Sequence, residues 1–188
     1  MNQMDRRTAV KAMIALGVAR AGTARPGPWS EAAEVRHEEN LCLAYRARLD
    51  GEYLVIRVAI EPGWHTFAMD NRLRAEEKLA GKKSLGIDHP TEFQLTGGLE
   101  VIGPWQQTPP KDFSRAELRW FSWGFEKQAV FAARVRRKGA GPVEVGVRGQ
   151  ACTDSVCKNI DVAIPVQTPG ALKAPASELK LDRLVKVP

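Results

Sequence analysis

Cys152 and Cys157 carry the clearest chemical signal in the chain. They lie in Gly149-Gln150-Ala151-Cys152-Thr153-Asp154-Ser155-Val156-Cys157-Lys158. The four residues between them form a loop whose ends can face each other, so a disulfide is geometrically reasonable. Three chemistries fit such a pair. As a structural bond it would close a short loop and contribute only about 2 kcal/mol in the chain-entropy model. A chain with 44% hydrophobic residues hardly needs that. As a zinc site it would want more ligands, and its spacing is at the loose edge of the usual range. His37, His65 and His89 are scattered, and each is more often a surface or core histidine than a ligand. As a pair cycling between dithiol and disulfide it needs an accessible thiolate, which Arg148 and Lys158 favour and Asp154 opposes. Spacing alone leaves all three open. The third cysteine, Cys42, sits among Leu41, Leu43 and Ala44, the setting of a small buried hydrophobe, with an exposed reactive thiol as the alternative.

The elements that must position this pair read as strands. Leu41, Leu43, Tyr45, Ala47 and Leu49 alternate with more polar neighbours, apart from Cys42 and Ala44. Asp50-Gly51 supplies turn residues, and Leu54, Ile56, Val58 and Ile60 alternate on the return. Further strands are predicted around 91–95, 99–102, 128–136, 142–149 and 159–166, which places the cysteines in the loop between the last two. Gly97-Gly98 and Lys138-Gly139-Ala140-Gly141 give turns between neighbours. Residues 72–83 fit a short helix or an ordered loop. Many short strands joined by glycine-rich turns predict an all-β sandwich rather than a parallel α/β sheet.

The flanks differ in composition. Net charge is +6, from 28 basic and 22 acidic residues. Arg6, Arg7, Lys11 and Arg20, with Asp5, fall in the first 24 residues, and the remainder carries 24 basic against 21 acidic, or +3. That balance, with no basic helix carrying interleaved aromatics, argues against nucleic acid as a partner. No apolar run reaches about 18 residues. Residues 1–24 combine a charged start, a short apolar stretch from Ala12 to Ala19, and small residues at Ala21 to Ala24. This is the pattern of a secretory signal, and the paired arginines followed by Lys11 resemble the twin-arginine type. The alternative is an amphipathic first helix of a cytoplasmic chain. Residues 25–34, with Pro26, Gly27 and Pro28, read as a linker. The folded domain is expected over 35–167, and a poorly ordered tail over 168–188.

Four segments in order resemble the N-terminal, immunoglobulin-like domain of the DsbD family of thiol:disulfide interchange proteins. They are Glu61-Pro62-Gly63-Trp64-His65-Thr66, Pro90-Thr91-Glu92-Phe93, Trp120-Phe121-Ser122-Trp123-Gly124-Phe125, and Gln150-Ala151-Cys152 through Cys157. The resemblance covers roughly residues 35–167. It implies an immunoglobulin-like β-sandwich in the periplasm, with Cys152 and Cys157 as the redox pair. It also implies an aromatic cap over the disulfide, for which Phe121 and Trp123 are the candidates, with ordinary core packing as their alternative. Trp64 and His65 are assigned to structure. The family's acidic residues have no firm counterpart, Glu117 and Asp154 being the candidates, and Lys158-Asn159 replaces its usual aromatic and prolines. No cofactor is implied. The partners implied are thioredoxin-like periplasmic proteins and a membrane thiol-electron transporter acting in trans. The competing expectation is a non-catalytic immunoglobulin-like binding or accessory module whose disulfide is structural.

Overall fold

The alternation over Leu41–Ile60 builds the first sheet. In the computed structural model, which describes residues 26–84, 86–168 and 179–188, β2 (Asn40–Asp50) and β3 (Tyr53–Ile60) form an antiparallel hairpin. Gly51 at φ 61° makes the tight turn, a backbone region that costs glycine nothing. The register pairs Leu43 with Ile60, Tyr45 with Val58, Ala47 with Ile56 and Leu49 with Leu54. Every inward residue thus meets another on the same face, and all eight are buried.

The remaining strands are β1 (Ala33–His37), β4 (His65–Phe67), β5 (Glu92–Gly97), β6 (Leu99–Val101), β7 (Gln106–Gln107), β8 (Lys111–Asp112), β9 (Trp123–Phe125), β10 (Gln128–Arg137), β11 (Val143–Cys152), β12 (Cys157–Val166) and β13 (Val185–Lys186). They form two antiparallel sheets. One runs β1-β2-β3-β10-β7-β13, with β6 also on β10; the other runs β12-β11-β4-β9-β8, with β5 also on β11. Val143, Val145, Val147 and Ile164 of the second sheet pack with Ile56, Val58, Phe131 and Val135 of the first in one core. Phe131 meets Phe93 and Phe125 edge-on, with centroids 4.9 and 5.4 Å apart, a favoured arrangement of ring quadrupoles. The fold is an all-β, immunoglobulin-like sandwich.

One helix, α1 (Asn71–Leu79), occupies the 72–83 segment; Ala80 in the left-handed region ends it. Asn71, fully buried, accepts the Trp123 backbone N–H at 2.7 Å and donates its amide to the Asp88 carbonyl at 3.0 Å. Next to it, Asp70 accepts from Gln107 Nε2 at 2.8 Å and from Arg74 Nε at 2.8 Å. These bonds fix the helix start against β9, β7 and the loop before β5.

Where they are described, both expected flanks lie against the sandwich. Residues 27–30, read as linker, lie along β2: the Gly27 and Ser30 N–H groups donate to the Leu49 and Ala47 carbonyls, each at 2.8 Å. Trp29 stacks against the Arg48 and Arg57 guanidiniums at 4.5 and 5.1 Å. Residues 179–188, read as an unordered tail, include β13, which pairs with β7, and Val187 donates to the Trp105 carbonyl at 2.9 Å. Residues 26–32 form no regular element, as their composition signals, whereas at the other end backbone pairing outweighs it. The expected signal segment, residues 1–24, lies outside the described residues. Among the described residues no helix is long and apolar enough to cross a membrane.

Candidate functional site

The cysteine loop is tighter than its sequence suggests. Strands β11 and β12 extend further than expected, so the cysteines are the last residue of one and the first of the other. Cys152 and Cys157 are direct cross-strand partners with Cα atoms 4.1 Å apart, and they are joined by a disulfide. Thr153 to Val156 makes the turn. The Thr153 N–H donates to the Val156 carbonyl at 2.8 Å, and its hydroxyl accepts the Ser155 and Val156 N–H groups at 3.2 and 3.1 Å. Threonine is suited to this because its side chain can substitute for a backbone acceptor.

Pairing across the second sheet decides which side chains share a face, since direct partners point the same way and neighbours alternate. Cys157, Cys152 and His65 are successive partners across β12, β11 and β4. They lie on the outer face. Ala151, Thr66 and Phe125 are successive partners one step along, and they face the core. Trp123, two residues from Phe125, therefore points inward too; it is 8% exposed and belongs to the core cluster. Phe121 is half-buried and packs against the same cluster. Neither expected cap residue lines the cleft beside the disulfide, and the face of β9 supplies the physical reason for Trp123.

Other residues do line it. A cleft of about 280 Å³ beside the disulfide is walled by His65, Asp88, Arg115, Leu118, Trp120 and the turn Thr153–Val156. Leu118 and Trp120 come from the excursion between β8 and β9. That excursion is held by Phe113 N–H donating to the Ser122 carbonyl at 2.9 Å and by reciprocal bonds between Arg115 and Trp120 at 2.7 and 3.2 Å. Its tip is a short 3-10 turn, Ala116–Leu118. An ion pair joins the tip to the turn of the disulfide hairpin, Arg115 to Asp154 at 3.7 Å, and both side chains are more than half exposed. The base of the excursion is tight. A side chain at Gly124 would run into the Thr66 carbonyl, with the Phe113 ring on its other side.

The two cysteines differ in exposure: Cys152 is 2% exposed, whereas Cys157 is exposed. Gln150 braces the hairpin: its carbonyl accepts the Thr66 hydroxyl at 2.9 Å and its side chain accepts the His89 backbone N–H at 3.1 Å. Its amide donates to Asn159 at 3.3 Å. Arg148, expected to favour a thiolate, sits 3.7 Å from Asp161, and Arg115 is the cation that lines the cleft.

His65, expected to be structural, is the titratable base at the site. It is half-buried between the Phe67 and Phe113 rings, with centroids 5.3 and 5.2 Å away. Burial pulls its pKa below the ordinary 6.5, against the opposing pull of Asp88, Asp154 and Glu126. No short-range signal marks it, because its place beside Cys152 comes from long-range strand pairing. His37 lies tilted 6.0 Å from Trp64, and His89 is exposed on the loop before β5. Among the described residues no three of His, Cys, Asp or Glu are gathered as a metal site. Cys42 is buried and free, and burial pushes its thiol above the ordinary range, the setting of an inert thiol. Glu117 is exposed on the 3-10 turn, and Asp154 lines the cleft.

No protein-family model matches the chain, and no curated protein matches it. Among solved structures it is similar to the N-terminal periplasmic domain of ScsB from Proteus mirabilis. Identity is 16%, the match covers 74% of this chain and 51% of that one, and the TM-score is 0.49. The chain thus spans about half the length of that structure.

Proposed function

We propose that the chain is an exported thiol–disulfide interchange domain whose working bond is Cys152–Cys157. The observation that carries this reading is the unequal exposure of the two cysteines at a cleft. Cys157 is exposed and Cys152 is 2% exposed, in a cleft on the outer face of the sheet. A bond serving only as a staple gains little here, because β11 and β12 are already joined by ten residue pairs. The motif order that resembles the DsbD N-terminal domain supports the same reading.

In this reading a partner thiolate attacks Cys157 Sγ, the bond to Cys152 breaks, and Cys152 carries the displaced electron pair. A second partner thiol resolves the mixed disulfide and releases the reduced pair. Leu118 and Trp120 form the apolar lid that shields the bond from stray thiols. The partners are thioredoxin-like proteins of the periplasm, with a membrane thiol-electron transporter acting in trans, and no cofactor takes part.

The test is the reduction potential of the pair, read by equilibration in glutathione or dithiothreitol buffers, alkylation and mass measurement. The expected value lies above about −300 mV, the range of labile bonds. A potential well below that would make the bond structural and the domain a non-catalytic binding or accessory module.

A further inference from the structure

Breaking the disulfide at the exposed cysteine, Cys157, leaves the electron pair on the buried one, Cys152. A thiolate at Cys152 would be a charge in a site removed from water, which is costly unless it is protonated or paired. The group set to answer that cost is the cross-strand partner of Cys152. His65 is the direct register partner of Cys152 on β4, and direct antiparallel partners have Cβ atoms about 5 Å apart on one face. Both residues line the cleft. A second, independent observation concerns Asp88, which lines the same cleft. Its Oδ2 is buried and has no hydrogen-bond partner among the described residues, an arrangement that a neighbouring cation would relieve. Asp88 is also the foremost of the acids acting on His65.

We propose that His65, backed by the Asp88 carboxylate, is the acid that gives a proton to Cys152 Sγ as it leaves Cys157. The proposal rests on the exchange reading of the site. In the step, the partner's thiolate, its proton already lost to solvent, bonds to Cys157 Sγ. The Cys152–Cys157 bond breaks, its electron pair goes to Cys152 Sγ, and that sulfur takes the proton from His65. The partner's sulfur is oxidised, Cys152 is reduced, and no further reagent is consumed. Burial lowers the imidazole's pKa below the ordinary 6.5, so its protonated form gives up the proton readily and is populated only as pH falls. Once protonated, it faces Asp88 from the loop before β5 and Asp154 from the hairpin turn. Glu126, just beyond β9, acts on it too but is tied to Lys111 at 2.6 Å. Arg115 is the one other cationic group lining the cleft. It does not titrate near neutrality, so pH separates the two.

The experiment is the second-order rate of reduction by dithiothreitol from about pH 5 to 9, divided by the dithiothreitol thiolate concentration, for wild type, His65→Gln and Asp88→Asn. Each variant is first checked for an intact disulfide and native near-ultraviolet circular dichroism. In the wild type the normalised rate rises as pH falls and levels off on the acid side of 6.5. In His65→Gln it is flat, and lower at pH 7 by on the order of tenfold or more. In Asp88→Asn the levelling-off moves to lower pH, because the carboxylate that favours the imidazolium is gone. A His65→Gln profile that superimposes on the wild type's overturns the assignment, and a levelling-off unmoved in Asp88→Asn overturns the carboxylate's part in it. Neither result depends on the reduction potential, so the proton route and the exchange reading can fail separately.

Discussion

At the scale of single residues, the site is a row of side chains on one sheet face, Cys157, Cys152 and His65, each made a neighbour of the next by strand register. The cysteines are legible in the sequence because they are close in it and chemically distinctive. His65 is not, since its partner lies far along the chain and a histidine after Gly63-Trp64 has an ordinary structural explanation. Its perturbed pKa has a consequence for stability. The unfolded chain binds a proton at His65 near 6.5 and the folded chain binds it only at lower pH. Between those two values the unfolded state holds more protons, so stability rises with pH and is lost as pH falls through that window. Urea midpoints between about pH 7 and 5 are expected to fall more steeply for wild type than for His65→Gln. Parallel slopes would mean the imidazole is not held neutral in the fold.

At the scale of elements, the proposed lid is the excursion between β8 and β9. It is anchored where β9 lies against β4. The Arg115–Asp154 pair that spans from tip to hairpin is exposed on both sides, so it is worth at most about 1 kcal/mol and is weakened by salt. Arg115→Ala is expected to leave the melting temperature nearly unchanged and to raise the rate of disulfide reduction a few-fold. Salt should accelerate the wild type but not the variant. A slower rate in the variant would mean that the guanidinium serves the sulfurs and not the lid. Little of this element was legible. The Leu41–Ile60 hairpin, β10, β11 and β12 are long enough for alternation to show, whereas β4, β7, β8 and β9 have two or three residues each. Such strands exist because neighbours pair with them, and no period can form in so short a run. The same limit hid which way Trp123 points. Alternation puts Trp123 and Phe125 on one face of β9, but only the pairing of Phe125 with Thr66 makes that face the inner one.

For the whole molecule, two sheets enclose one continuous core that does not include the disulfide. Folding should therefore survive its loss. The double variant Cys152→Ser, Cys157→Ser is expected to unfold cooperatively in urea, about 2 kcal/mol less stable than wild type, and to have no exchange activity. Loss of the folded state altogether would make the bond a structural staple. The sandwich itself was readable from strand count and turn chemistry, while its borders were not, because Pro26 to Pro28 and the residues after Thr168 carry the composition of loops. Those borders have an effect beyond the single molecule. Strand β13 covers the side of β7 turned away from β10, and it is short, with Lys186 and Pro188 exposed beside it. An open strand edge is a template on which another chain can polymerise, and a brief edge marked by lysine and proline is a poor one. The residues that looked like a loose end thus act as a selvedge, keeping neighbouring copies from knitting onto the sheet at the concentrations of a crowded compartment.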